Sequence, residues 1–173
     1  MKASRLLVLL LLTTHLLHAK LPPSHYSRGF TAYVELGDNS APGTRFPFGT
    51  ALGFHGMSKN HTLGFRHAVF TDLQIFVRAN RYVFDGVYYG YLFNQRNYYV
   101  MPSVAFGATE TRVDDKALHN YSYGIETALE TGVYIRGNGI SLRGLLHWDP
   151  DYMYSGVTLQ LRTGWMWNDE TEN

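Results

Sequence analysis

The chain has 173 residues, no cysteine, and 15 basic against 14 acidic side chains, a formal net charge of +1. Without cysteine it has no disulfide, thiol nucleophile or zinc–thiolate site, and without a basic excess it lacks the electrostatic footprint of a nucleic-acid binder. Its 13 Tyr, 10 Phe, 3 Trp and 17 Gly, together with the lack of long helix-forming stretches, point to pleated strands separated by turns.

In chain order, Lys2 and Arg5 precede the apolar run Leu6-Leu7-Val8-Leu9-Leu10-Leu11-Leu12, and His18-Ala19 offers a small residue before Lys20. Charge, short apolar core and small residue in that order make residues 1–19 a secretory signal peptide. The run falls short of the about 20 apolar residues of a spanning helix, which argues against an N-terminal membrane anchor. No Cys follows it, which excludes a lipid-anchored lipoprotein. Cleavage removes two of the 15 basic residues and leaves 13 against 14 acidic, a net charge of about −1. Residues 20–28, with Pro22-Pro23, read as a flexible lead-in, residues 29–167 as one β-domain, and residues 168–173 as a polar tail.

Period-2 alternation marks half-buried strands. Phe30, Ala32, Val34 and Leu36 alternate with Thr31, Tyr33 and Glu35, and a loop from Gly37 to Gly43 follows. Phe48, Leu52 and Phe54 then oppose Gly49, Ala51, Gly53 and His55 up to a tight turn at Ser58-Lys59-Asn60. A third strand, near His61 to Val77, sets Leu63, Phe65, Val69, Leu73 and Ile75 against Arg66, Asp72 and Gln74. In the fourth, Tyr82 to Phe93, both parities carry aromatics, and Asp85 fits only if Val87, Tyr89 and Tyr91 share its face; a bulge midway would change the facing. The fifth, Tyr98 to Thr109, contains Pro102, which belongs at an edge or bulge because it cannot donate to a ladder. Beyond the polar loop at Asp114-Asp115-Lys116, Tyr123, Ile125, Leu129, Val133 and Ile135 oppose Gly124, Glu126, Glu130, Tyr134 and Arg136. The seventh strand sets Ile140, Leu142, Leu146 and Trp148 against Ser141, Arg143, His147 and Asp149. The eighth sets Val157, Leu159, Leu161, Trp165 and Trp167 against Thr158, Gln160, Arg162 and Gly164. The reading is all-β, an eight-stranded antiparallel up-and-down transmembrane β-barrel.

Alternation alone fits two barrels. A soluble, lipocalin-like barrel turns its apolar face inward around a small apolar ligand, whereas an outer-membrane barrel turns it to lipid. The polar faces combine Glu35, Arg66, Glu126, Glu130, Arg143 and Arg162 with many glycines, which suits the filled lumen of a narrow barrel better than a solvated surface. Tyr98, Tyr99, Trp148, Trp165 and Trp167 cluster near strand ends, where interfacial girdles lie. With an even strand count after a signal peptide, both ends are periplasmic, and the longer connections after strands one and three face outward.

The stretches Leu63-Gly64-Phe65-Arg66-His67, Asp85-Gly86-Val87-Tyr88-Tyr89-Gly90-Tyr91 and Ser141 through Gly164 resemble those of small, largely uncharacterised bacterial outer-membrane β-barrel proteins. The resemblance spans most of the chain after the signal and implies a monomer in contact with outer-membrane lipid. It supplies no catalytic residue. Such barrels often end on an aromatic residue, whereas here six polar residues, Asn168 to Asn173, follow Trp167.

For function, Glu35, Arg66, Glu126, Glu130, Arg143 and Arg162 form either a gated polar path or an interior ion-pair plug; the narrow lumen favours the plug. No cofactor motif is found, and the expected role is structural or surface-binding, with an extracellular ligand at the outward loops, rather than enzymatic. A lipid-modifying hydrolase is the alternative. Ser141 lies about 20 Å from His147 along an extended strand, so Ser141, His147 and Asp149 make no triad, and His67, on the apolar face, is followed by Ala68 and Val69 rather than by H-x-S. His55, His61, His67 and His147 are too scattered for a metal site, and Asp114-Asp115 reads as a solvated loop. Asn60-His61-Thr62 and Asn120-Tyr121-Ser122 match a glycosylation pattern, which chance readily supplies.

Overall fold

The computed structural model describes residues 28–40, 47–72, 81–95, 98–112, 119–135, 138–150 and 153–167. The expected signal peptide, the lead-in up to Ser27, Leu73, Gln74, Ile75, the Asp114-Asp115-Lys116 loop, Arg136 and the polar tail lie outside the described residues. The strands are β1 (Arg28–Ser40), β2 (Pro47–Ser58), β3 (His61–Asp72), β4 (Arg81–Tyr91), β5 (Phe93–Gln95), β6 (Tyr98–Arg112), β7 (His119–Ile135), β8 (Asn138–Trp148) and β9 (Met153–Trp167). Each pairs antiparallel with its sequence neighbour, except that β4 pairs with β6 and β1 with β9, so the sheet closes. β4 and β5 pair with β6 in one register and act as a single strand. The result is an eight-stranded antiparallel β-barrel.

The break between β4 and β5 has a chemical cause. Leu92 N–H turns toward β3 and donates to the Asn60 carbonyl at 2.7 Å. Tyr91 therefore faces β6, opposite Pro102, which has no N–H to give it. Pro102 thus sits inside a strand with neighbours on both sides, not at an edge or bulge, and costs a ladder bond rather than the register. The unbroken register also settles residues 82–93: there is no bulge, and Asp85 shares the outer face with Val87, Tyr89 and Tyr91, while Tyr82, Phe84, Tyr88 and Leu92 point inward.

Closure requires the strands to tilt and the pairing to stagger. Starting at Phe30 and stepping through Gly56, Leu63, Tyr89, Val104, Thr127, Leu146 and Ser155 returns to β1 at Ser40, ten residues on. Two residues separate β2 from β3, β5 from β6 and β7 from β8, at the end that also carries Arg28 and Trp167. At the opposite end the connections run to eight residues, between Asp72 and Arg81.

Burial is inverted relative to a water-soluble barrel. Leu52, Leu63, Val87, Phe106 and Val157 are more than half exposed on the outside. Arg66, Glu126 and Glu130 are fully buried in the lumen. Glycines make this filling possible: a Cβ at Gly53 would lie 2.5 Å from the Tyr33 hydroxyl, and one at Gly124 2.5 Å from the His147 ring.

Candidate functional site

Period-2 geometry sends Glu35 from β1, Arg66 from β3, Glu126 and Glu130 from β7, Arg143 from β8 and Arg162 from β9 into one lumen. There they alternate in sign. Arg66 grips Glu35 with Nε and Nη2 at 3.2 and 3.0 Å, and Glu126 with Nη1 at 2.7 Å. Arg143 Nη2 donates to the other Glu126 oxygen at 2.9 Å, and its Nη1 lies 3.8 Å from Glu130. Arg162 Nη2 donates to Glu130. The chain Glu35–Arg66–Glu126–Arg143–Glu130–Arg162 holds three charges of each sign, so this network is neutral in itself, which limits the cost of holding charge in a low-dielectric interior.

Neutral side chains complete the coordination. Gln160 Nε2 and Thr158 Oγ1 donate to Glu35 at 2.6 and 3.2 Å. Arg162 also donates through Nε to Gln160 Oε1 at 3.0 Å, and stands over the Tyr33 ring at 4.9 Å. His55 lies 3.2 Å from Arg162 Nη1 through Nδ1, with the Tyr88 and Thr31 hydroxyls 2.6 and 2.8 Å from its two ring nitrogens. Aromatic layers sit above and below the charges. Toward the terminal end Tyr99 stacks on Tyr134 at 4.6 Å, and toward the opposite end His147 stacks on Tyr154 at 4.4 Å, with Phe70 and Phe84 against them.

Of the aromatics expected at the interfaces, Tyr98, Trp148 and Trp165 are exposed on the outer face. The Trp167 side chain is outside the described part of β9. Tyr99 corrects the expectation: it is 2 % exposed, points into the lumen and donates to Glu130. Adjacent strand residues cannot share a face, and parity with Gly107 and Thr109 was the signal that separates Tyr99 from Tyr98.

Sequence reasoning missed Gln160, Thr158 and His55 as partners of the charged groups, and it missed one polar pair altogether. His67 and Asp85 are cross-strand partners on the outer face of β3 and β4. His67 Nδ1–H donates to Asp85 Oδ1 at 2.6 Å, with both side chains partly exposed among Leu52, Phe65, Val69 and Val87. The other three histidines considered from the sequence separate: His55 and His147 are luminal, and His61 is exposed near the turn.

No protein-family model matches the chain, and no curated protein matches it. Solved structures do. The chain is similar to neisserial surface protein A, NspA, at TM-score 0.61 and 10 % identity, covering 82 % of this chain and 98 % of that one. It is also similar to the outer membrane enzyme PagL at TM-score 0.50 and 12 % identity, covering 77 % and 98 %. These likenesses establish the fold: a small outer-membrane-type β-barrel.

Proposed function

We propose that this protein is exported by the 1–19 signal and inserted in a bacterial outer membrane as a monomeric, plugged barrel with a structural or surface-binding role. The observation that carries this reading is the inversion of polarity. Exposing the outer belt of Phe, Leu, Val and Trp to water would cost about 25 cal/mol per Å², whereas lipid accommodates it. The connections of up to eight residues at the end opposite the termini are where an extracellular ligand would be held. The test is fractionation of a bacterium expressing the chain. The protein is expected in the membrane pellet, resistant to salt and alkaline carbonate, released by detergent, and shifted in gel mobility by boiling. Recovery in the periplasmic extract without detergent would overturn the reading in favour of a soluble barrel.

The His67–Asp85 pair favours one second reading, a lipid-directed hydrolase. Ionisable side chains facing hydrocarbon are costly and mark function by default. Asp85 fixes the His67 ring, leaving Nε2 to act as a general base. It would take a proton from water as the oxygen attacks an ester carbonyl, then return that proton to the departing alcohol. Mass spectrometry of membrane lipids decides: expression of the wild type, but not of His67→Ala, should release fatty acid from a lipid ester. An identical lipid profile with and without the protein removes this reading.

A further inference from the structure

We infer that the barrel binds one anionic phospholipid on its outer face at the end carrying the termini, an inference that rests on the membrane placement proposed above. Phe30, Gly56 and Leu63 are consecutive partners across β1, β2 and β3. Phe30 and Leu63 are exposed, and a Cβ at Gly56 would meet no atom within 4 Å. The missing side chain opens a groove of about 570 Å³ lined by Gly56, Ser58, His61, Leu63 and Tyr89. Its floor and walls are almost wholly apolar, apart from the rim where His61 Nδ1 lies 2.6 Å from the Tyr89 hydroxyl.

Cations stand where this groove reaches the barrel end. Arg28 is the cross-strand partner of Ser58, and Lys59 follows Ser58 at the tip of the turn; both are exposed. Among the described residues neither forms an ion pair; of the acidic side chains described on the outer surface, Asp38 and Glu110 lie toward the opposite end and Asp85 at mid-barrel. Lys59 adopts a φ of 55°, a left-handed conformation that suits glycine, so the turn holds a long basic side chain where backbone energetics alone would favour none. A hydrophobic trough ending at two exposed cations complements a phosphodiester with an attached alkyl chain. A free phosphate has no use for the trough, and a second copy of the chain would bring like charges together.

Trp165 provides the probe, because it is the partner of Phe30 on β9 and is exposed. The full chain, with Trp148→Phe and Trp167→Phe, is refolded into phosphatidylcholine vesicles containing brominated phosphatidylglycerol or brominated phosphatidylcholine. Quenching of Trp165 should report a preference for the anionic lipid on the order of fivefold for each basic side chain. Arg28→Gln with Lys59→Gly should abolish it. Gly56→Leu, which fills the notch and leaves both charges, should reduce it to the weaker attraction of charge alone. Inorganic phosphate at millimolar concentration should not compete. Equal quenching by both lipids, undiminished preference in Gly56→Leu, or displacement by phosphate would each overturn the site. Failure of the protein to float with the vesicles overturns the membrane placement and the site with it, and is distinguished from the other outcomes by the flotation step.

Discussion

Arg162 donates to Glu130, Gln160 and Tyr134 from a side chain with almost no exposure. Its removal leaves the buried Glu130 carboxylate with the Tyr99 hydroxyl and with no cation nearer than Arg143 at 3.8 Å among the described residues. Breaking one side of a buried pair costs about 3–5 kcal/mol. Arg162→Leu should therefore lower the urea midpoint of unfolding from vesicles by that equivalent, followed by tryptophan emission. Arg162→Lys should fall between the two, because an ammonium keeps the charge but cannot reproduce the guanidinium fork. A midpoint in Arg162→Leu equal to the wild type would show that Glu130 finds full compensation elsewhere. All six charged residues were legible in the sequence because each alternates with apolar neighbours on a long strand. The partners were not: Gln160 and Thr158 reach Glu35, His55 reaches Arg162 and Tyr99 reaches Glu130 across 31 or more positions, and period-2 patterning reports a face, not a neighbour.

At the scale of elements, the β4–β5 break shows how a barrel absorbs a proline. The register on both sides of Tyr91 and Leu92 is unchanged, so the only loss is the donor that Pro102 lacks. Pro102→Thr should restore a ladder bond to the Tyr91 carbonyl and stabilise the barrel by about 0.5–1.5 kcal/mol. Amide exchange at residues 90–93 should slow in parallel, and unchanged exchange there would contradict this account. From the sequence, Pro102 counted against a central strand because propensity describes the backbone's average cost, not whether neighbouring ladders can carry it. The same limit hid the His67–Asp85 pair: the two residues come from different strands, and only the β3–β4 register, set across an eight-residue connection, makes them partners.

For the whole molecule, the charged interior lies between the Tyr99–Tyr134 stack and the His147–Tyr154 stack. A lumen so filled should offer ions no continuous path. In planar bilayers the refolded protein should give no resolvable unitary current, and reproducible ohmic steps would count against the plug. The strand count and facing were readable because alternation extends over most of every strand. The stagger of ten residues was not, since it depends on how eight separate registers add around a closed circuit.

That circuit shuts along one seam. All thirteen residues of β1 pair with β9, joining segments at opposite ends of the chain. Every other strand can find its neighbour as synthesis proceeds, but the first must wait for the last. Until Met153–Trp167 arrives, β1 and β8 each present an open row of amides and carbonyls, the template on which strands of different molecules add to one another. A chain cut short before β9 is therefore more than a smaller barrel. It is a sheet with two adhesive edges, and the cell must shield both for as long as the final strand is still in transit.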